Sequence, residues 1–326
     1  MFHRIVRPAA SILLLALAAW PSQAQSDWPT KPVRIIVPFA AGGSTDLVAR
    51  QVGQLLQKKT GQAVIVENRG GAGGLLGAQF AKTQPADGYT LLLGTVSTHS
   101  VAPSIYAKMP YDPLKDFEPL TLIASVPNLV VVNPAKVKAG TLREFAQAAK
   151  AQSQGFSFGS SGKGSSNHLA TESLMATLGA PAVHVPYKGS GPALLDTIAG
   201  NVEFMLDVVM TSTQYVKNGQ LKALAVTSRQ RIALLPDVPT VAESGYPGFE
   251  AIGWFALFAP AGTPVGVRDR AAAELAAIVR SKEMVAYLEA QGAIPSGIAG
   301  EAFRKYIVDD MAHWKRVADA AGIKPE

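Results

Sequence analysis

Four polar stretches carry the residues with chemical capacity. They are PFAAGGSTD (residues 38–46), GTVSTHS (94–100), GSSGKGSSNH (159–168) and PYKGSGP (186–192). Each joins small residues and hydroxyls to backbone N–H groups where an apolar run ends. A helix that starts in such a loop points unpaired N–H donors, and about half a positive charge, out of its first turn. That is chemistry for holding a carboxylate or a phosphate, and it needs no arginine. The competing reading is structural: Ser44, Thr45, Ser165 and Ser166 are residue types that cap their own helices. One such loop would be ordinary, whereas four of the same construction point to a shared ligand.

Other chemistries fit less well. VENRGGAGGLLGA (66–78) sets glycines between a strand and a helix, the order of a dinucleotide site. Counted from Gly71, however, the sixth position of G-x-G-x-x-G is Leu76. The acidic residue expected about 20 positions further on is also missing: the next strand, YTLLLG, ends in Gly94. The cluster reads instead as a turn needing positive φ and close backbone approach. Gly162-Lys163 suggests a P-loop, but Gly164 follows the lysine and Ser157 stands where the first glycine belongs. A hydrolase could be assembled from Ser165 or Ser166 with His168 and Asp207. No G-x-S-x-G elbow surrounds either serine, and Ser166 and His168, two apart at a helix start, diverge. The histidines at 3, 99, 168, 184 and 313 show no metal-ligand spacing, and His184 sits in an apolar strand as a core residue does. The reading carries no catalytic residue, no metal and no cofactor.

The loops need scaffolding. From Trp28 apolar strands alternate with amphipathic helices. Strands are expected at 33–37, 63–66, 89–93, 120–124, 129–132, 156–158, 182–186, 202–207 and 221–226, and in the run EAIGWFALFAP. Val48, Val52 and Leu55 mark one face of a first helix, and a second runs from the glycines to about Thr83. The capping box Thr141-x-x-Glu144 opens a third. Further helices are expected from Ser166 to Gly179, and at 191–199, 211–218, 264–280, 282–291 and 300–321. This βα alternation predicts parallel-type sheets with helices on both faces. The length suits two such units. The chain would pass from one to the other near Ser125-Val126-Pro127 and return near Ile252-Gly253-Trp254, giving domains 25–125 with 253–326, and 126–252. Loops from both would then face one cleft.

Composition narrows the classes. The 326 residues are 48% hydrophobic and contain no cysteine, which excludes disulfides, thiol catalysis and thiolate metal sites. Arg4 and Arg7, the apolar run Ser11–Trp20 and the small residues Ser22 and Ala24 form a secretory leader, residues 1–24, cut before Gln25. Two units of the formal +6 charge sit on those arginines. The other basic residues are scattered, without the patches of a nucleic-acid face.

The motifs taken together resemble a known family. WPTKPVRIIVPFAAGGSTDLVAR, VENRGGAGGLLGA, ADGYTLLLGT, FSFGSSGKGSSNHLATE, VPYKGSGPALLD, NGQLKALAVTS, LLPDVPTVAESGYPGFE and WFALFAPAGTP appear in order from residue 28 onwards. The chain so resembles the periplasmic solute receptors of tripartite tricarboxylate transporters, the Bug receptors. The resemblance implies an α/β, two-lobed, periplasmic-binding-protein-like (Venus flytrap) fold with two crossover strands. It implies a monomeric, non-enzymatic receptor that captures a small mono- or dicarboxylate and delivers it to a large and a small membrane subunit. It puts Ala40, Gly43, Ser44, Thr45 and Asp46 on one wall of the cleft, with Thr95 and Ser97 of the neighbouring loop. Ser160, Ser161, Gly164, Ser165, Ser166 and His168 form the opposite wall. Asp207 is placed to meet the ligand's distal group, and Val208 stands where a smaller or more polar residue is expected. Two rivals remain: a receptor that reports to a sensor kinase, and a secreted hydrolase using Ser165 or Ser166.

Overall fold

The computed structural model describes residues 27–323, with His3 and Pro325. Apart from His3, the expected leader lies outside the described residues.

Strand β1 (Val33–Val37) is followed by α1 (Ser44–Thr60), which buries Val48, Val52, Leu55 and Leu56. Gly61, in the left-handed conformation, closes α1 with its N–H on the Gln57 carbonyl. Next come β2 (Val64–Asn68), a 3-10 turn over Ala72–Gly74, α2 (Leu75–Lys82) and β3 (Thr90–Thr95). One turn of π-helix, Ser97–Val101, leads into α3 (Ala102–Ile105). A long strand, β4 (Phe117–Val132), follows. Then α4 (Leu142–Lys150) begins at Thr141, whose hydroxyl accepts from Glu144 N at 3.1 Å. The Glu144 carboxylate reaches back to Gly140 N, one residue beyond the position a capping box uses. The chain continues through β5 (Phe156–Ser160), α5 (Ser166–Leu178), β6 (Ala182–Pro186), α6 (Ser190–Ala199), β7 (Phe204–Val208), α7 (Val209–Lys217) and β8 (Lys222–Val226). After a long irregular segment come β9 (Ile252–Pro260), α8 (Val265–Val279), α9 (Lys282–Ala290), β10 (Ile294–Pro295) and α10 (Gly300–Ala320).

The strands join in the order β2-β1-β3-β9-β4-β7-β5-β6, and β8 and β10 also pair with β4. Pairing is parallel within β2-β1-β3 and within β7-β5-β6. At the centre the parallel expectation fails, because β9 runs antiparallel to both β3 and β4, and β4 runs antiparallel to β7. The two strands expected at 120–124 and 129–132 are one continuous strand. Pro127 is tolerated there because it stands at a change of partner. Residues up to Pro127 pair with β9, and those from Asn128 pair with β7. The molecule is thus two-lobed, with β4 running from one lobe into the other.

Strand alternation divides the core by face rather than by lobe. Ile36, Leu92, Val130, Phe158, Phe258 and Phe303 belong to one buried cluster. Ile35, Leu91, Leu93, Val131, Met205 and Leu257 belong to the other. Each cluster contains residues from both ends of the sheet. Of the last helices, α8 packs on β4 and α1, and α10 packs on the π turn and β4.

Candidate functional site

Four helices begin at one cavity: α1 at Ser44, α5 at Ser166, α6 at Ser190 and α7 behind Val208. The β3 loop, Thr95 to Ser97, and the β9 pair Trp254 and Phe255 close it from the first lobe. The cavity is narrow, about 40 Å³, which is room for a few water-sized groups. Among the described residues no lysine, arginine or histidine lines it, and Asp207 is the one ionisable residue that does. Positive potential therefore comes from helix N-termini and backbone N–H groups.

Ser44 and Thr45 sit buried in the first turn of α1 and line the cavity. Asp46 turns back onto its own loop. Its Oδ2 accepts from Gly42 N and from Arg50 Nε, both at 3.0 Å. Burial pushes this carboxyl up, but the Arg50 and Gly42 bonds outweigh it and leave the group below the usual carboxylate range. Asp46 so fixes the loop that α1 rises from and does not line the cavity. Ala40 and Gly43 lie at the rim, where Ala40 N donates to Lys188 O at 3.1 Å. A Cβ on Gly43 would stand 2.9 Å from Ser190 Oγ.

In the β3 loop, Thr95 lines the cavity and its hydroxyl has no hydrogen-bond partner. Thr98 braces this turn, since its Oγ1 accepts from Thr95 N at 3.0 Å. Ser97 reaches across the cleft, its Oγ 3.1 Å from Ser166 Oγ and accepting from Ser166 N at 2.9 Å.

On the second lobe Ser161 and Ser166 line the cavity, while Ser160, Gly164, Ser165 and His168 stand behind it. Ser165 caps α5: its Oγ accepts from His168 N and lies 2.7 Å from Gly162 O and Asn167 Oδ1. Ser160 Oγ is 2.5 Å from His184 Nε2. The His168 ring stacks on His184 with centroids 3.9 Å apart, and Gly164 N donates to its Nδ1 at 3.3 Å. The hydroxyls of the two serines of the hydrolase reading thus lie against a cap and against Ser97.

Asp207 is the next-to-last residue of β7 and is fully buried. Its Oδ2 accepts from Thr211 Oγ1 at 2.6 Å, and its Oδ1 has no partner. Burial pushes this carboxyl up to about 7, with the Thr211 hydroxyl pulling the other way. Val208 lines the cavity beside it.

The structure therefore gathers seven of the expected residues around the cavity: Ser44, Thr45, Thr95, Ser97, Ser161, Ser166 and Asp207. It also adds lining residues that sequence reasoning missed, among them Phe39, Asn128, Asn167, Ser190 and Trp254. Ser190 and Asn167 lay in loops already marked as polar. Asn128 had a signal, as a polar residue between two apolar strand segments. Trp254 had none, because its run reads only as a buried strand.

The glycine cluster also has a place. Gly73 approaches the second lobe so closely that a Cβ on it would lie 2.6 Å from Lys163 O. With Ala40–Lys188, Ser97–Ser166 and the 2.8 Å bond from Tyr106 Oη to Lys163 O, it forms a rim where the lobes touch.

The family profile of the tripartite tricarboxylate transporter family receptor matches residues 48–323. The chain belongs to this receptor family. It is 38% identical over 298 residues to protein BugT of Bordetella pertussis, which covers 91% of each chain. Rpa4515 of R. palustris, solved with adipate, superposes with a TM-score of 0.88 at 36% identity, covering 92% of this chain and 100% of that one. MatC of Rhodopseudomonas palustris, solved with malate, gives 0.83 at 30% identity, covering 89% and 99%. The receptor family binds solutes and is not a family of enzymes. In this member of the tripartite tricarboxylate transporter receptors, the cavity lies between the two lobes, where carboxyl ends of strands meet helix N-termini.

Proposed function

We propose that this protein is a periplasmic receptor that captures a small organic acid with one or two carboxylates in the interlobe cleft. It delivers the acid to the membrane subunits of a tripartite transporter. The observation that carries the reading is the convergence of α1, α5, α6 and α7 N-termini on a cavity without a basic side chain. Unpaired N–H donors suit an anion there. Ser44, Thr45, Thr95, Ser97, Ser161 and Ser166 supply hydroxyls around it, while Asp46, Ser165 and His168 hold the loops. Relatives that hold adipate and malate support the ligand class. Division of the chain at 125/126 and 252/253 fits the change of partner along β4. Ligand touching both lobes shifts an open–closed equilibrium toward closure.

A thermal-shift screen of mono- and dicarboxylates, amino acids and neutral sugars, on protein stripped of co-purified ligand, tests this. An acid at 100 times its dissociation constant stabilises the fold by about 2.7 kcal/mol. A sugar that raises the melting temperature while no acid does so overturns the reading.

A further inference from the structure

Asp207 is a problem for a receptor of anions. It lines the cavity, it is fully buried, and one of its oxygens has no partner in the protein. An ionised carboxylate beside a bound carboxylate repels it, and two carboxylates sharing one site do not both ionise easily. A neighbouring cation could resolve this, but among the described residues the elements packed on β7 set none against it. On β4, Asn128 and Leu129 stand opposite Val208 and Asp207. The end of β5 brings Ser160 and Ser161. On α5 the ionisable groups are His168, whose ring is stacked on His184, and Glu172, whose carboxylate lies 3.7 Å from His168 Nε2. On α6 it is Asp196, which accepts from Tyr187 Oη at 2.7 Å. On α7, Thr211 and Ser212 are nearest, and Lys217 lies exposed in the last turn. Across the cleft, His99 is stacked on Phe258 and Asp310 accepts from Trp254 Nε1. None of these charges acts on Asp207, whose carboxyl responds first to burial and then to the Thr211 hydroxyl.

We propose that Asp207 holds the ligand as a neutral carboxylic acid, donating its proton in a hydrogen bond to a ligand carboxylate oxygen, so that capture of an acid takes up a proton from solvent. The proposal rests on the carboxylate-receptor reading and makes Asp207 its specificity residue. The proton moves from water to Asp207 Oδ1, the unpartnered oxygen, and stays there while the ligand is bound. A carboxyl held near 7 by burial is already half protonated at neutral pH. A ligand carboxylate in the same cavity pulls the proton on fully. An amine-bearing acid would favour the opposite state, an ionised Asp207 paired with ammonium.

Titration calorimetry of adipate and malate on the purified protein, in buffers of different ionisation enthalpy, counts the protons. About half a proton is taken up per ligand at pH 7 and close to one at pH 8. Affinity then falls roughly tenfold between pH 8 and 9. Asp207→Asn, whose amide does not titrate, brings the count near zero and flattens the pH profile. The count on the unsubstituted protein needs no variant to fold. Failure of these two and of every other acid in the thermal-shift screen to bind overturns the receptor reading. Binding with no proton uptake at pH 8 overturns this proposal alone. Tight binding of aspartate without uptake, abolished by Asp207→Asn, assigns the ionised state instead.

Discussion

His99 and Asp207 are both fully buried, and they respond to acid in opposite senses. The His99 ring stacks on Phe258 at 3.8 Å, its Nδ1 lies 2.8 Å from Thr98 Oγ1, and its Nε2 has no partner. Burial pushes its pKa down to about 3, with the Thr95 backbone carbonyl, an acceptor for the ring N–H, working the other way. In the unfolded chain it titrates near 6.5. The folded protein thus has its full stability from this group above about pH 6.5 and loses it as pH falls toward 3. Asp207, raised to about 7, does the reverse: its contribution is complete below about pH 4 and is lost as pH rises through 7. Urea unfolding at a series of pH values separates the two. His99→Asn lowers the acid slope between pH 6 and 4 by up to about 1.4 kcal/mol per pH unit, one proton's worth. The lost ring contact costs about 1–3 kcal/mol at pH 8. An acid slope the same as that of the unsubstituted protein would show that His99 takes up its proton in the fold.

At the scale of elements, the glycine cluster shows what sequence can and cannot reveal. Its departure from the dinucleotide pattern was legible in Leu76 and Gly94, and its positive-φ turn in the glycines themselves. Its contact with Lys163 was not legible, because that depends on how two lobes dock, and no local pattern encodes a distance across a cleft. The same limit explains the rest. Helices with clear start and stop residues, such as α5, α6 and α10, end within a residue or two of expectation. The change of partner at Pro127, the π turn at Ser97 and the lining Trp254 all follow from tertiary pairing. Asp46 and Asp207 are alike in sequence, each beside a helix start, yet Arg50 faces one and Thr211 the other. A pair of substitutions isolates the docking role. Gly73 and Gly61 have similar backbones, with φ of 62° and 73°. A side chain on Gly73 meets the second lobe, and one on Gly61 meets nothing within 4 Å. Both Gly→Ala changes carry the left-handed backbone cost of about 1 kcal/mol. Only Gly73→Ala obstructs closure, so calorimetric affinity for adipate falls by about tenfold or more in that variant and holds in Gly61→Ala. Equal affinities in the two would remove the glycines from closure.

For the whole molecule, the question is whether two lobes unfold as two units. A chain of this length commonly behaves as separate domains. Here β4 belongs to both halves of the sheet, and each buried cluster runs along one face from end to end. The return path is tied to β4 by a buried knot. Thr227 N donates to Asn128 O at 2.9 Å, and Asn128 N donates to Thr227 Oγ1 at 3.0 Å. Thr227 Oγ1 also donates to Ala251 O at 2.6 Å, and Ala251 N donates to Thr227 O at 3.1 Å. The knot sits where β4 changes partner, so any hinge motion must bend the strand beside it, while unfolding of one lobe would strip apolar surface from the other. Scanning calorimetry of the ligand-free protein should therefore show one transition, with calorimetric and van't Hoff enthalpies in agreement. Thr227→Val, close in shape but unable to accept from Asn128 N or donate to Ala251 O, leaves buried groups unsatisfied at a cost of about 1–3 kcal/mol. That cost lowers the single transition as a whole, by about 2–5 °C for a chain of this size. Two resolved transitions, or a Thr227→Val shift confined to one of them, would mean that the shared strand does not couple the lobes.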